Sequence, residues 1–394
     1  MRIILITSKL NFVTAGGSVV DLHLKAKGLV ELGHQVTVIT AYSGANKINQ
    51  PLPYAVKEEN VAAASFASVQ YKVYHILRKH ESEADIFYID GNNFLYGGGM
   101  FRILVGKAPV VAFFNIKLSC WSDTQDNYKK KQTLFAKLKR RVRLLVEKYI
   151  GVKIANRMDA FIFTTPMVEK LYLDFGFKKS NSNVIPDFVN TQEIIDKQSS
   201  ATGFLNKHQT PSEVIIFCSG RMIVEKGFDL VIKAFSLIKD KSRLRVIMSG
   251  GGPDAERLQK LTADLGLRQF FSFPGWVEKN QLEKFFRQAH IFILPRWWPE
   301  YTSVLLIEAM AYSLPCIIPK GGGLEWLAEK GGLTFEADDA VSLAQRIEEL
   351  ANDSELRSSL ANNILTKAKE LDYKKLTVRM EQIMRLVVSA RNKN

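Results

Sequence analysis

The chain has 394 residues, 46% hydrophobic and 24% charged, with a formal net charge of +14. That length exceeds one ordinary core and suits two domains of about 150 to 200 residues with a cleft between them, and no apolar run approaches the roughly 20 residues of a bilayer span. The positive excess favours anionic partners, while three widely spaced cysteines, Cys120, Cys218 and Cys316, imply neither a disulfide framework nor a zinc site and suit a reducing, cytoplasmic compartment.

The N-terminal M-R-I-I-L-I-T-S-K-L reads as a first buried strand rather than a signal peptide. Strands are expected at Ile3 to Thr7, Gln35 to Thr40, Asp85 to Asp90, Val110 to Phe114 and Ala160 to Thr164. Between the first two, Ser18 to Leu32 reads as a helix closed by Gly33. Lys129 to Lys148 carries nine basic side chains and one acid, and Leu134, Leu138, Val142, Leu145 and Val146 recur in it at helical spacing. This basic amphipathic helix has two readings: a peripheral anchor on anionic lipid at the inner face of the cytoplasmic membrane, or a solvated helix whose leucines pack on its own domain. Nucleic acid is disfavoured, because no aromatic platform or recognition motif accompanies the charge.

Pro186 to Pro211 is polar, lacks a long apolar period and reads as a linker. The expected division is 1-190 for the first domain, 191-372 for the second and 373-394 for a final helix. The second half repeats the strand plan at Val214 to Ser219, Arg245 to Ser249, Phe270 to Phe273, Ile291 to Leu294 and Cys316 to Pro319. From Asp338 the pattern is helical. The last piece, Tyr373 to Ala390, has an apolar stripe that needs a surface to cover. Alternating strands and helices predict an α/β fold of two doubly wound parallel sheets.

In such sheets ligands bind outside the carboxyl ends of the strands, so the loops there carry the candidates. After the first strand, T-A-G-G-S places Gly16 and Gly17 at a helix start, which is an anion receiver or a tight turn. After Ser219, G-R-M-I-V-E-K-G supplies Arg221 and Lys226, a pair suited to a diphosphate, Arg by forked hydrogen bonds and Lys as a point charge. S-G-G-G-P-D-A formally fits G-x-G-x-x-A at Gly250, Gly252 and Ala255, but follows a second strand and lacks the acid that a dinucleotide fingerprint needs. Its glycines suit close passage to a ligand or a sharp turn. In F-P-G-W-V, Trp276 and Val277 either flank a flat base or belong to the core. The chain has no G-x-S-x-G, no G-x-x-x-x-G-K-[ST] and no H-E-x-x-H, and its histidines form no close ligand pair. No metal site is expected.

W-W-P-E-Y-T-S-V-L-L-I-E-A-M sets Glu300 and Glu308 at the ends of an apolar run. A helix capped near Thr302 or Ser303 leaves Glu300 in the preceding loop and puts Glu308 one to two turns in.

Taken in order, S-G-R-M-I-V-E-K-G, S-G-G-G-P, F-P-G-W-V, P-E-Y-T-S-V-L-L-I-E-A-M-A-Y-S-L-P and G-G-G-L-E resemble the retaining nucleotide-sugar glycosyltransferases of family 4, strongly over Val214 to Leu350. The resemblance implies the GT-B fold: two Rossmann-like domains facing across a cleft, with a C-terminal helix crossing back to the first. It implies that Arg221 and Lys226 hold the donor diphosphate, that Glu300 meets the transferred sugar, and that Glu308 reads the ribose. The amides around Tyr301, Thr302 and Ser303 would receive phosphate charge. These three residues stand where the family often has a small or glycine-containing turn, and Asn115 stands where many members have a histidine at the donor sugar. Asn115 can hydrogen-bond a sugar but cannot serve as acid or base. The implied activity is metal-independent hexosyl transfer, with retention, from a UDP-sugar such as UDP-glucose to a glycan or lipid-linked glycan. A GT-B nucleotide-sugar epimerase and a non-catalytic sugar-nucleotide-binding module are the alternatives, and the four charged residues weigh against the second.

Overall fold

The computed structural model describes every residue except 14–15, 62–64, 117, 119–133, 200–211, 296–301 and 393–394. Contacts divide the chain into two compact units: Met1–Phe188 with Tyr373–Asn394, and Val189–Asp372.

The first unit is a parallel sheet of seven strands: β1 Arg2–Thr7, β2 Gln35–Thr40, β3 Ala55–Glu58, β4 Ile86–Asp90, β5 Val110–Phe114, β6 Ala160–Phe163 and β7 Ser182–Val184. Their order is β3-β2-β1-β4-β5-β6-β7. Central strands such as V-V-A-F-F are buried throughout, because helices cover both faces and no solvent side remains for polar alternation. The helix Gly17–Glu31 ends at Leu32, and Gly33 follows with φ 83°, the left-handed turn expected of it.

The apolar stripe of the final helix, Tyr373–Asn392, finds its surface in this same unit. Leu376, Met380 and Met384 join the core of β1, β2 and β4. The Tyr373 hydroxyl donates to Glu31 Oε2 at 2.9 Å, and a Cβ on Gly28 would fall 2.2 Å from Thr377 Oγ1, so glycine is what lets the two helices approach.

The second unit has six parallel strands: β8 Val214–Ser219, β9 Leu244–Ser249, β10 Phe271–Gly275, β11 Ile291–Ile293, β12 Cys316–Pro319 and β13 Gly332–Phe335, in the order β10-β9-β8-β11-β12-β13. Each sheet therefore reverses its winding once, between β1 and β4 in the first and between β8 and β11 in the second.

Three expectations change. Pro186 to Pro211 is not a bare linker: residues Thr191–Ser199 form a helix, tied at its start by Thr191 Oγ1 donating to the Ala368 carbonyl at 2.9 Å, a tertiary partner that overrides its polar composition. Strands β3, β7 and β13 escape the pattern because they are short and lie at or next to sheet edges, where alternation weakens. The basic segment is helical over Leu134–Val146 and then widens into a π-helical turn at Glu147–Gly151, while residues 129–133 lie outside the described part. Cys218 and Cys316 are buried free thiols, and Cys120 also lies outside the described part.

Candidate functional site

In the second unit four strand ends feed the loops that carry the candidates. Gly220 (φ 149°) turns the chain off β8 into Arg221, and a short 3-10 turn, Val224–Lys226, leads to Gly227 (φ 67°) and the helix Phe228–Leu237. Arg221 is exposed and Lys226 half-buried.

The neighbouring loop from β9 lies against this one backbone to backbone. Met222 N–H donates to the Gly251 carbonyl at 2.8 Å, and Asp254 N–H donates to the Met222 carbonyl at 3.1 Å. A Cβ on Gly250 (φ 132°) would lie 1.8 Å from the Gly220 oxygen, and one on Gly252 (φ 150°) 2.3 Å from the Met222 oxygen. The glycines thus have a packing reason that needs no ligand: they let two loops touch and so hold the Arg221 loop in place.

Trp276 follows β10 and is 64% exposed, which removes the core reading of its indole. It stands beside the same loop, since a Cβ on Gly251 would meet its Cβ at 3.7 Å. Val277 is half-buried.

Beyond β11, Glu300 and Tyr301 lie outside the described residues. The helix Val304–Ala311 begins as expected: Ser303 is its N-cap, its Oγ accepting from Leu306 N–H at 3.3 Å, and Thr302 precedes it half-buried. The other first-turn amides have no acceptor within the helix and remain a place for negative charge.

Glu308 is the fifth residue of that helix. Burial raises its carboxyl to about 7; Lys279 opposes the shift and Glu283 adds to it, both from the helix Lys279–Gln288. Its side chain accepts no hydrogen bond from a described residue, so its acceptor capacity remains for a ligand. Lys279 was not singled out from the sequence, because only the fold sets it facing Glu308.

In the first unit, Gly16 is the extended N-cap of the helix Gly17–Glu31, with no side-chain cap and open space where a Cβ would sit. Gly16, Gly17 and Ser18 are exposed, so the amides of this turn are open to an anion, whereas residues 14–15 are not described. Asn115 directly follows β5 and is half-buried; the adjacent Ile116 carbonyl accepts from Tyr172 Oη at 2.9 Å and Asn92 Nδ2 at 3.2 Å, which fixes that strand end. No group of three or more His, Cys, Asp or Glu side chains able to hold a metal occurs among the described residues.

The basic helix turns its apolar stripe outward over the residues whose burial is described. Leu138, Val142, Leu145 and Val146, with Tyr149 and Ile150 in the π turn, are 50% to 60% exposed and do not pack on their own domain. The helix is held instead by Glu147, buried and accepting from Tyr96 Oη at 2.9 Å and from Arg143 Nε at 3.0 Å. Among the described residues, no helix is long and apolar enough to cross a membrane.

Comparison with known proteins agrees on both halves of the chain. Residues 15–193 match the family described as Glycosyltransferase Family 4, and residues 204–366 match Glycosyl transferases group 1. The chain is 26% identical over 206 residues to the lipopolysaccharide core biosynthesis glycosyltransferase LpsE of Rhizobium meliloti, covering 52% of this chain and 57% of LpsE. It is 26% identical over 181 residues to the mannosylfructose-phosphate synthase of Agrobacterium fabrum, covering 43% and 40%. The chain thus spans about half the length of the curated relatives it matches. Among solved structures, sucrose-phosphate synthase from Thermosynechococcus elongatus superposes with TM-score 0.77 at 19% identity, over 98% of this chain and 99% of that one. Anabaena Alr3699/HepE in complex with UDP and glucose superposes with TM-score 0.71 at 17% identity, over 97% and 98%.

Proposed function

The chain belongs to the family 4 glycosyltransferases of GT-B fold, and from that premise we propose that it moves a hexose from a UDP-sugar to a glycan or lipid-linked glycan of the cell envelope, with retention of anomeric configuration. The observation that carries the reading is the loop set of the second unit. Arg221 and Lys226 follow β8 on a loop braced by Gly250 and Gly252, beside the exposed Trp276. The Ser303-capped helix in the same unit carries Glu308. The complex of HepE with UDP and glucose supports the choice of donor, and the lipopolysaccharide role of LpsE supports an envelope glycan as acceptor.

In this reading the two cations and the open amides before Leu306 receive the charge that grows on the diphosphate as the glycosidic bond breaks. A metal is not needed for that neutralisation, so chelator should leave the rate unchanged. Ionised Glu308 accepts both ribose hydroxyls, Trp276 and Val277 flank the base, and Glu300 and Asn115 meet the sugar. The leaving phosphate takes the proton of the arriving acceptor hydroxyl. Gly16 and Gly17 offer amides to the donor phosphate or sugar. A screen of UDP-, GDP- and ADP-sugars read by nucleotide release tests the assignment: saturable release from a UDP-hexose is expected, and tight nucleotide binding with no release from any donor would favour a silent binding module.

The same reading places the protein on an anionic membrane surface through residues 129–148. Support comes from the exposed apolar face between basic side chains, where each Lys or Arg near the surface contributes about 1 kcal/mol. A second copy of the helix would set like charges against each other. Flotation with phosphatidylglycerol and phosphatidylcholine vesicles checks it, and failure with both lipids sinks the membrane role.

A further inference from the structure

The donor reading gives no role to the end of β4, at the winding reversal of the first sheet. β1 and β4 are neighbours there while their connections run in opposite directions, the position at which open parallel sheets form a crevice for ligands. Thr7 ends β1 and Asp90 ends β4. Thr7 Oγ1 donates to Asp90 Oδ2 at 3.0 Å, whereas Oδ1 accepts nothing from a described residue. Gly91 (φ 88°) then takes the chain off the strand, its N–H donating to the Phe113 carbonyl at 3.1 Å on β5, the strand that Asn115 follows.

The nearest cation is already engaged. Lys25, buried on the helix Gly17–Glu31, donates to Asp21 Oδ2 at 2.5 Å and lies 3.1 Å from the centroid of the Phe113 ring. Asp21 and Asp90 thus both feel this one ammonium, and the buried Tyr88 phenol lies within reach of these two carboxyls and of a third, the buried Asp187. This charge balance disfavours an anionic ligand and suits a neutral donor of hydrogen bonds.

We infer that Asp90, held by Thr7, is a hydroxyl-binding residue for the carbohydrate acceptor, its Oδ1 accepting from a sugar hydroxyl at the carboxyl ends of β1 and β4. The word acceptor rests on the glycosyl-transfer reading; the geometry alone offers an open carboxylate oxygen to a hydrogen-bond donor. Burial raises the Asp90 carboxyl to about 6, with Lys25 opposing, Asp21 adding, and the Thr7 hydrogen bond lowering it. Sugar hydroxyls stabilise the ionised form, so affinity should rise as pH climbs through that value.

The test uses the full chain and methyl α- and β-glycosides of glucose, galactose and mannose as probes, with binding read by saturation-transfer NMR between pH 5 and 7.5. UDP affinity is measured on the same samples. Wild type should bind at least one glycoside, more tightly at pH 7.5 than at pH 5. Asp90→Asn, nearly isosteric, should bind it about tenfold more weakly, a loss of about 1.4 kcal/mol, with no pH dependence and UDP affinity unchanged. Equal binding by wild type and variant, or no glycoside binding by wild type, would overturn the assignment. Failure of wild type to bind UDP while the glycoside result holds would instead sink the donor reading and leave this site standing.

Discussion

Apart from the extra edge strand β7, the two sheets share a strand order and reverse their winding at the same topological place, yet they present different chemistry there. At β8 in the second unit the chain offers Arg221 and Lys226, on a loop pressed against its neighbour by Gly250 and Gly252. At β1 and β4 in the first it offers a carboxylate on a hydroxyl, with the adjacent lysine occupied by a second carboxylate. A diphosphate has fixed charge and shape and demands the first kit; a sugar offers only hydroxyls and suits the second. In the proposed reading, one fold used twice accommodates two partners through the side chains at its strand ends, and each half can be disturbed separately.

The largest effect is expected in the first unit. Lys25→Met leaves Asp21 buried without its cation; among the described residues its remaining partner is Phe188 N–H, which donates to it at 2.7 Å. Burial already raises the Asp21 carboxyl, with Lys25 opposing, so the loss should cost about 3–5 kcal/mol. Thermal unfolding would show it, and an unchanged melting point would mean that the pair contributes nothing to the first core.

Next comes Lys226→Ala, expected to lower turnover by about 10²–10³-fold, or about 2.7–4 kcal/mol of transition-state stabilisation, with little change in melting temperature. An unchanged rate would remove Lys226 from the site. Gly250→Ala sharpens the contrast further. Its Cβ would collide with the Gly220 oxygen in a backbone region hostile to alanine, so about 1–3 kcal/mol of strain must displace the loop that carries Arg221. Donor turnover should fall while glycoside binding in the first unit persists.

The smallest effect is a pH profile. Glu308 holds its proton to about 7 in the folded chain against an ordinary value of 4.5. As pH rises between those values the unfolded chain loses a proton that the folded one keeps, so this group's contribution to stability falls across that window. Ribose hydroxyls favour the ionised form, so UDP affinity should rise through pH 7. Glu308→Gln should flatten the rise, and a slope retained in the variant would place the titrating group elsewhere.

The sequence made the second unit easier to read than the first. Phosphate chemistry restricts loops to a few residue types at fixed spacing, and the Ser303 cap and the glycine turns follow from local rules that hold in the structure. Asp90 closes F-Y-I-D as any strand-end acid could, and only the order β1-β4 makes it a partner of Thr7. The edge strands β3 and β7 and the helix Thr191–Ser199 depend on tertiary partners that no local period announces. The exposed leucines of Leu134–Val146 were visible as a stripe, but whether the stripe packed inward required the fold.

The division of labour between the sheets is tested most directly by calorimetric titration of UDP into wild type, Lys226→Ala and Asp90→Asn. Binding at least about tenfold weaker is expected for Lys226→Ala, a loss of about 1.4 kcal/mol or more, and unaltered binding for Asp90→Asn. Weakened UDP binding in Asp90→Asn with full affinity in Lys226→Ala would reverse the roles assigned to the two sheets.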